Sequence, residues 1–549
     1  MTLKSLTSAL LATALLAACG GDDDDVPAAA AAPTATTTAG TVEGLTAHGM
    51  HQFLGIPYAK PPVGALRWAA PQPAAAWTGT RAAKAYGKHC PQKDTSPMSA
   101  YGTAGGSEDC LYLNVYTPTT AGPHPVLVWI HGGAFLYGRA DGYVPQRLVA
   151  QGVTVVSINY RLGALGFLAH PALNDAAGHS GNYGVMDQTL ALRWVKDNIA
   201  TFGGDPARVT LAGQSAGAAS VLTQLNSPKA AGLFQKAILQ SVPVTDQPTG
   251  AAAQASGATA AATLFGCPND TQAATCLRAL SVDTLVAKQA SATFSASNAP
   301  NVDGDYLTRS NLAAVAGGQL AAVPVMIGTT MDEYTSLLAT EETTANNSTV
   351  AAGAPASSLK RPGDPGYVDL LATDAELTAR FQATFGPAAA GVAALYPASR
   401  YAGVRPHAFA AAVSDSLFAC GTRKAAKQIA ATGVPTHVYE FNDPNAPMAL
   451  QAPVSFAFKA YHAAEIQYLF DLPSTASLTA AQKALADEMV GLWSRFVTSA
   501  AGDPNAAGST AWPRFDATTE AVLQFRPAGS AVVNDFKTVH QCAVWTPGI

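Results

Sequence analysis

The chain predicts an α/β fold: a large, mostly parallel, doubly wound sheet with helices on both faces and long loop insertions. Three observations carry that expectation. Short runs of branched aliphatic residues recur along the sequence and alternate with helical stretches. Parallel strands buried on both faces read in this way, because each crossover returns over one face of the sheet. The run Val209–Ala212 passes directly into Gly213-Gln214-Ser215-Ala216-Gly217 and then into a small-residue helical stretch ending near Leu225. A second apolar run, Pro125–Ile130, ends in His131-Gly132-Gly133-Ala134-Phe135. Turns carrying reactive or glycine-rich sequence at the carboxyl ends of strands are where doubly wound sheets keep their chemistry.

Taken in order, the expected strands are Pro125–Ile130, Val153–Tyr160, Val209–Ala212, Ala237–Gln240, Val323–Ile327 and Thr436–Phe441. Helices are expected over Asp187–Ile199 and Ala484–Phe496, from apolar residues recurring at three- and four-residue spacing. Residues 41–549 exceed an ordinary domain, but a sheet of this class with long insertions holds one core at that length. Thr340–Pro365, rich in Ala, Ser, Thr, Gly and Pro, reads as a surface insertion.

The chemistry begins at Ser215. A serine hydroxyl is a weak nucleophile until it is exposed, fixed in direction and set beside a base. A strand-turn-helix elbow exposes and fixes it, and Gly213 and Gly217 remove the Cβ atoms that so sharp a turn cannot hold. The paired glycines after Ile130 let backbone N–H groups approach a substrate oxygen, so Gly133, Ala134 and the residue after the serine, Ala216, are the expected oxyanion hole. An acid and a histidine must follow in that order. Asp332 and Glu333 stand just after the Val323–Ile327 strand, and His462 follows the last of these strands. Either carboxylate is chemically capable.

These segments resemble the type-B carboxylesterase/cholinesterase family, whose members have the α/β-hydrolase fold. Glu108-Asp109-Cys110-Leu111-Tyr112-Leu113-Asn114-Val115 and Phe202–Ser220 are similar to its two signature segments, Phe53–Ala59 to its N-terminal part, and Gly502–Asn505 with Trp512-Pro513 to its C-terminal part. The resemblance runs from about Thr41 to Trp545. It implies an ester hydrolase with Ser215 as nucleophile, Glu333 of the Asp-Glu pair as acid, and His462 of His-Ala-Ala-Glu-Ile as base. It also implies that Ser241 supports the site from behind, and that no metal or organic cofactor is used. The disulfides implied are Cys90–Cys110, Cys267–Cys276 and Cys420–Cys542.

Seven cysteines less three pairs leave Cys19. It closes Leu16-Ala17-Ala18-Cys19, behind a short positive start and an apolar run from Leu6 to Leu16. The pattern resembles a lipoprotein signal peptide over 1–18, with lipid on Cys19 and 19–40 as a flexible tether of Asp, Ala, Pro and Thr. Disulfides require an oxidising compartment, and Gly20 after the cysteine favours the outer membrane. Membrane contact is then expected only through that lipid.

A net charge of −5 offers no basic field suited to nucleic acid. The expected partner is a small, low-charge ester, aryl or alkyl. The Cys90–Cys110 segment holds no tryptophan, and Gln214 stands where cholinesterases carry glutamate, so a choline ester is disfavoured. Trp129, Phe135, Tyr137 and Phe167 are candidate apolar walls of the pocket, although aromatic residues at strand ends more often belong to the core. A carbamate or amide hydrolase, an interfacial lipase and a catalytically silent adhesion protein are the alternatives on the same scaffold.

Overall fold

The computed structural model describes residues 31–93, 105–289, 299–347, 359–448, 453–472, 477–505 and 511–546. The expected signal peptide and the lipidated Cys19 lie outside these residues. Pro33–Ile549 form one compact unit.

Three short strands, β1 (Thr34–Thr36), β2 (Thr41–Glu43) and β5 (Thr80–Ala82), form a small sheet. Among the described residues, eleven others build the central one. In chain order they are β3 (Leu45–Ala47), β4 (Met50–Pro57), β6 (Tyr112–Pro118), β7 (His124–Ile130), β8 (Thr154–Ile158), β9 (Gly204–Gln214), β10 (Lys236–Gln240), β11 (Val325–Thr330), β12 (Thr436–Phe441), β13 (Val522–Phe525) and β14 (Ala531–Val533). Across the sheet they run β14-β13-β12-β11-β10-β9-β7-β8-β6-β4-β3. Every pair from β13 to β8 is parallel. Strand β14 at one edge and β6, β4 and β3 at the other join antiparallel. The chain therefore moves one way from β7 to β8 and the other way from β9 onward. The reversal opens a crevice between the ends of β7 and β9, where such sheets bind ligands.

Strand β7 shows why its sequence reads as continuously apolar. Val126, Val128 and Ile130 enter one core, while Leu127 and Trp129 enter another on the opposite face. The first core contains residues of α1 (Tyr183–Asn198), α2 (Ala216–Asn226) and α4 (Cys420–Ala431), and the second contains residues of α5 (Ala480–Thr498). Period-2 alternation thus feeds two helical layers at once. The structure pairs Cys90 with Cys110, Cys267 with Cys276 and Cys420 with Cys542.

Three boundaries differ from the sequence expectation. The tether does not extend to Gly40: β1 pairs antiparallel with β2, and the Thr38 N–H donates to Asn198 Oδ1 at 2.7 Å. Backbone pairing orders this stretch, although its side chains give it little apolar surface to bury. Thr340–Pro365 is not all surface insertion, because α3 (Tyr334–Asn347) carries its first eight residues and buries Leu338, Ala339 and Glu342. Helix α5 begins at Ala480 because Thr479 and Gln482 form a reciprocal capping box ahead of the apolar periodicity.

Candidate active site

The serine turn is built as its glycines require. Ser215 joins β9 to α2 with φ 57° and ψ −124°, a conformation that costs a non-glycine residue free energy and is kept at functional sites. A Cβ on Gly213 would sit 2.5 Å from the Gly217 carbonyl carbon, and one on Gly217 would sit 2.1 Å from the Ile130 carbonyl oxygen. The elbow and the end of β7 are therefore pressed together. Helix α2 then begins at Ala216, with its positive end beneath the serine.

The turn after β7 lies across the same crevice. The Leu136 and Tyr137 N–H groups donate to the Gly133 carbonyl at 2.8 and 3.0 Å, closing a tight loop with φ 105° at Gly133 and 51° at Ala134. Gly133, Ala134 and Ala216 line one cavity with Ser215 and His462. Its volume is about 300 Å³.

The histidine and acid loops are joined through their backbones. The Asp332 N–H donates to the Ala460 carbonyl at 2.9 Å, and the His462 N–H to the Glu333 carbonyl at 3.2 Å. This register turns the Glu333 side chain toward the imidazole, where Oε2 accepts the hydrogen bond from His462 Nδ1. Glu333 Oε1 accepts from Thr329 Oγ1 at 2.5 Å and from the Thr330 N–H at 2.8 Å. Burial alone would raise the Glu333 pKa, but His462, Thr329 and Ser241 outweigh it and hold the carboxylate below its ordinary value. Ser241 is fully buried.

Asp332 takes other partners. It accepts from the Ala460 N–H at 3.3 Å and lies 3.7 Å from Lys459 Nζ, so it clamps the loop that carries His462. Burial raises its pKa to about 6 despite Lys459.

The candidate pocket walls divide. Phe135 and Tyr137 line the cavity. Trp129 does not: its ring packs on Tyr143 and Phe470 in the core beneath the sheet. Phe167 is buried behind Phe135, with ring centroids 4.9 Å apart. The sequence reading missed Phe418, whose ring centroid lies 5.0 Å from that of His462. Phe418 belongs to a π-helical turn, Asp415–Ala419, a local irregularity often found at functional sites. No local sequence pattern marks it. Glu465 was also missed as a contributor to the field at the site. Burial and the Glu333 charge raise its pKa to about 7, and it accepts from Gln240 Nε2 at 3.2 Å.

A strained serine elbow, an imidazole bonded to a buried carboxylate and a glycine loop on one cavity define a hydrolase of the α/β-hydrolase fold. Residues 31–545 match the model of the carboxylesterase family. The chain belongs to the carboxylesterase family, and with it to the ester-hydrolysing enzymes. It is 34% identical over 522 residues to the fumonisin B1 esterase of Sphingopyxis macrogoltabida, covering 90% of this chain and 86% of that protein. It is 42% identical over 307 residues to the para-nitrobenzyl esterase of Bacillus subtilis (strain 168), covering 54% of this chain and 61% of that protein. A third relative, the phenmedipham hydrolase of Pseudarthrobacter oxydans, is 48% identical over 219 residues, 38% of this chain and 43% of that protein.

Proposed function

We propose that the protein is a serine carboxylic ester hydrolase that works through Ser215, His462 and Glu333 and forms an acyl-enzyme. The observation that carries the reading is the hydrogen bond of His462 Nδ1 to the buried Glu333 carboxylate, on the cavity that holds the strained Ser215. Nδ1–H committed to Glu333 puts the ring's lone pair on Nε2, the position of the base. His462 Nε2 takes the Ser215 proton as Oγ bonds to the carbonyl carbon, and Glu333 stabilises the imidazolium. The N–H groups of Gly133, Ala134 and Ala216 receive the charge developing on the carbonyl oxygen. The imidazolium then gives its proton to the departing alcohol oxygen as the ester C–O bond breaks. Water, deprotonated by His462, attacks the acyl carbon, and Ser215 recovers its proton as the acid leaves. Each oxyanion donor typically supplies roughly 3–4 kcal/mol of barrier lowering.

The substrate class follows from the walls. Among the described residues lining the cavity there is no Asp, Glu, Lys or Arg, and Phe135, Tyr137, Leu337 and Phe418 supply apolar surface. Desolvating a charged group there would be costly without a partner. Uncharged aryl or alkyl esters are the fitting substrates. A lipid on Cys19 would hold the enzyme at a bacterial outer membrane, a reading supported by the pairing of the other six cysteines.

Ser215→Ala should abolish both covalent labelling by a fluorophosphonate and hydrolysis of p-nitrophenyl esters, while leaving the thermal melt unchanged. Label that persists on the variant would place the nucleophile elsewhere.

A further inference from the structure

One contact at the imidazole does not involve the acid. Gln214 Nε2 lies 3.1 Å from His462 Nε2. With Nδ1–H given to Glu333, the ring presents a lone pair at Nε2, and the Gln214 amide N–H donates to it. The amide is enclosed: Gln214 is 4% exposed. A Cβ at Gly132 would come within 3.0 Å of Gln214 Oε1 and 3.1 Å of the Ser215 Cβ, so a side chain at position 132 would crowd the amide and the serine together. The missing Cβ at Gly132 makes the room that this arrangement uses.

We propose that Gln214 is a positioning residue for the base: its amide holds the His462 Nε2 lone pair in the resting enzyme and must release it before Ser215 can be deprotonated. The inference rests on the reading of His462 as base. Ser215 and Gln214 are neighbours in sequence and compete for one acceptor. A hydrogen bond to the neutral ring stabilises the resting state and is lost on the way to the imidazolium. The charged groups facing the ring are Glu333, bonded to Nδ1, and Glu465, buried near Glu333. The Phe418 ring closes another side. A carboxylate in place of the Gln214 amide would join the Glu333 anion, and Glu465 above its pKa of about 7, in favouring a doubly protonated ring with no lone pair to offer.

The full chain is labelled with a small alkyl fluorophosphonate, which reports Ser215 reactivity without a leaving-alcohol pocket, across pH 5–9. Gln214→Met removes the donor at similar volume and should label about three- to tenfold faster at neutral pH, the worth of one hydrogen bond. Gln214→Glu should label slower by a similar factor, with its acid limb displaced to higher pH than that of the unsubstituted enzyme. Opposite directions are the signature, since a residue that only fills space would move both variants the same way. Rates changing together, or both staying within twofold of the parent, would overturn the proposal. If Gln214→Met does not fold, the isosteric Gln214→Glu decides alone, and an unmoved acid limb refutes the idea. Ser215→Ala in each background keeps the two readings separate: residual label there counts against Ser215, not against Gln214.

Discussion

Replacing Glu333 by Gln changes one oxygen for one NH₂ group and should nearly silence the enzyme. The Oε1 position accepts from Thr329 Oγ1 and from the Thr330 N–H, both fixed on strand β11. An NH₂ group there would face two donors, so the carbonyl oxygen of the introduced amide should take that position. The NH₂ then points at His462 Nδ1. A donor at that site asks the ring for a lone pair at Nδ1, which moves the remaining proton to Nε2. The tautomer with Nε2–H cannot accept the Ser215 proton. In a serine protease the corresponding Asp→Asn change lowers kcat by about 10⁴, or roughly 5 kcal/mol of barrier. A loss of about 10³–10⁴ in kcat for a soluble p-nitrophenyl ester, with KM within a few-fold, is expected here. Asp332→Asn provides the contrast. Asp332 is held by the Ala460 N–H and Lys459, and its raised pKa of about 6 already admits the neutral form in mild acid. Losing its ion pair with Lys459 should loosen the His462 loop and cost less than about tenfold, in the range of one hydrogen bond. Were Asp332→Asn the more damaging of the two, the acid would be misassigned and the tautomer argument would fail with it.

The remaining expectations concern stability and location. His540 donates to Asp415 Oδ1 and Glu440 Oε1, each at 2.5 Å, and these two carboxylates outweigh burial to raise its pKa to about 10. A raised folded-state pKa gives stability that is fully present below the unfolded value near about 6.5 and is lost as pH climbs toward about 10. Thermal melts should therefore show His540→Gln destabilised by a few kcal/mol at pH 6, with the gap from the parent narrowing by pH 9–10; a gap independent of pH would count against a charged His540. Cys19→Ala should move activity from the membrane fraction to the soluble fraction, or leave an unprocessed precursor, whereas unchanged membrane association would remove the lipid proposal. Non-reducing peptide mapping should at the same time find the six other cysteines paired.

What the sequence made legible, and what it hid, divides along physical lines. Strands β7, β8 and β10 stood out because burial on both faces favours an unbroken apolar run at the centre of each. Ser215 and the two glycines around it were readable because the elbow tolerates so few residue types. Strand β1 was hidden, since Thr-Ala-Thr is held by backbone pairing that leaves no mark on side-chain polarity. Trp129 stood between pocket wall and core because composition cannot tell the faces of a doubly covered strand apart; its parity with Leu127 sends it to the core under the sheet. Phe418 was invisible for a different reason, as it reaches His462 from a π-turn far away in sequence. The choice between Asp332 and Glu333 is the most instructive case. Both follow β11 within three residues, and no periodicity separates them. The decision lies in two backbone hydrogen bonds, Asp332 N–H to Ala460 and His462 N–H to the Glu333 carbonyl, which bring a loop 129 residues downstream into register with the acid. That register turns one carboxylate toward the ring and leaves the other to hold the loop that makes the register possible.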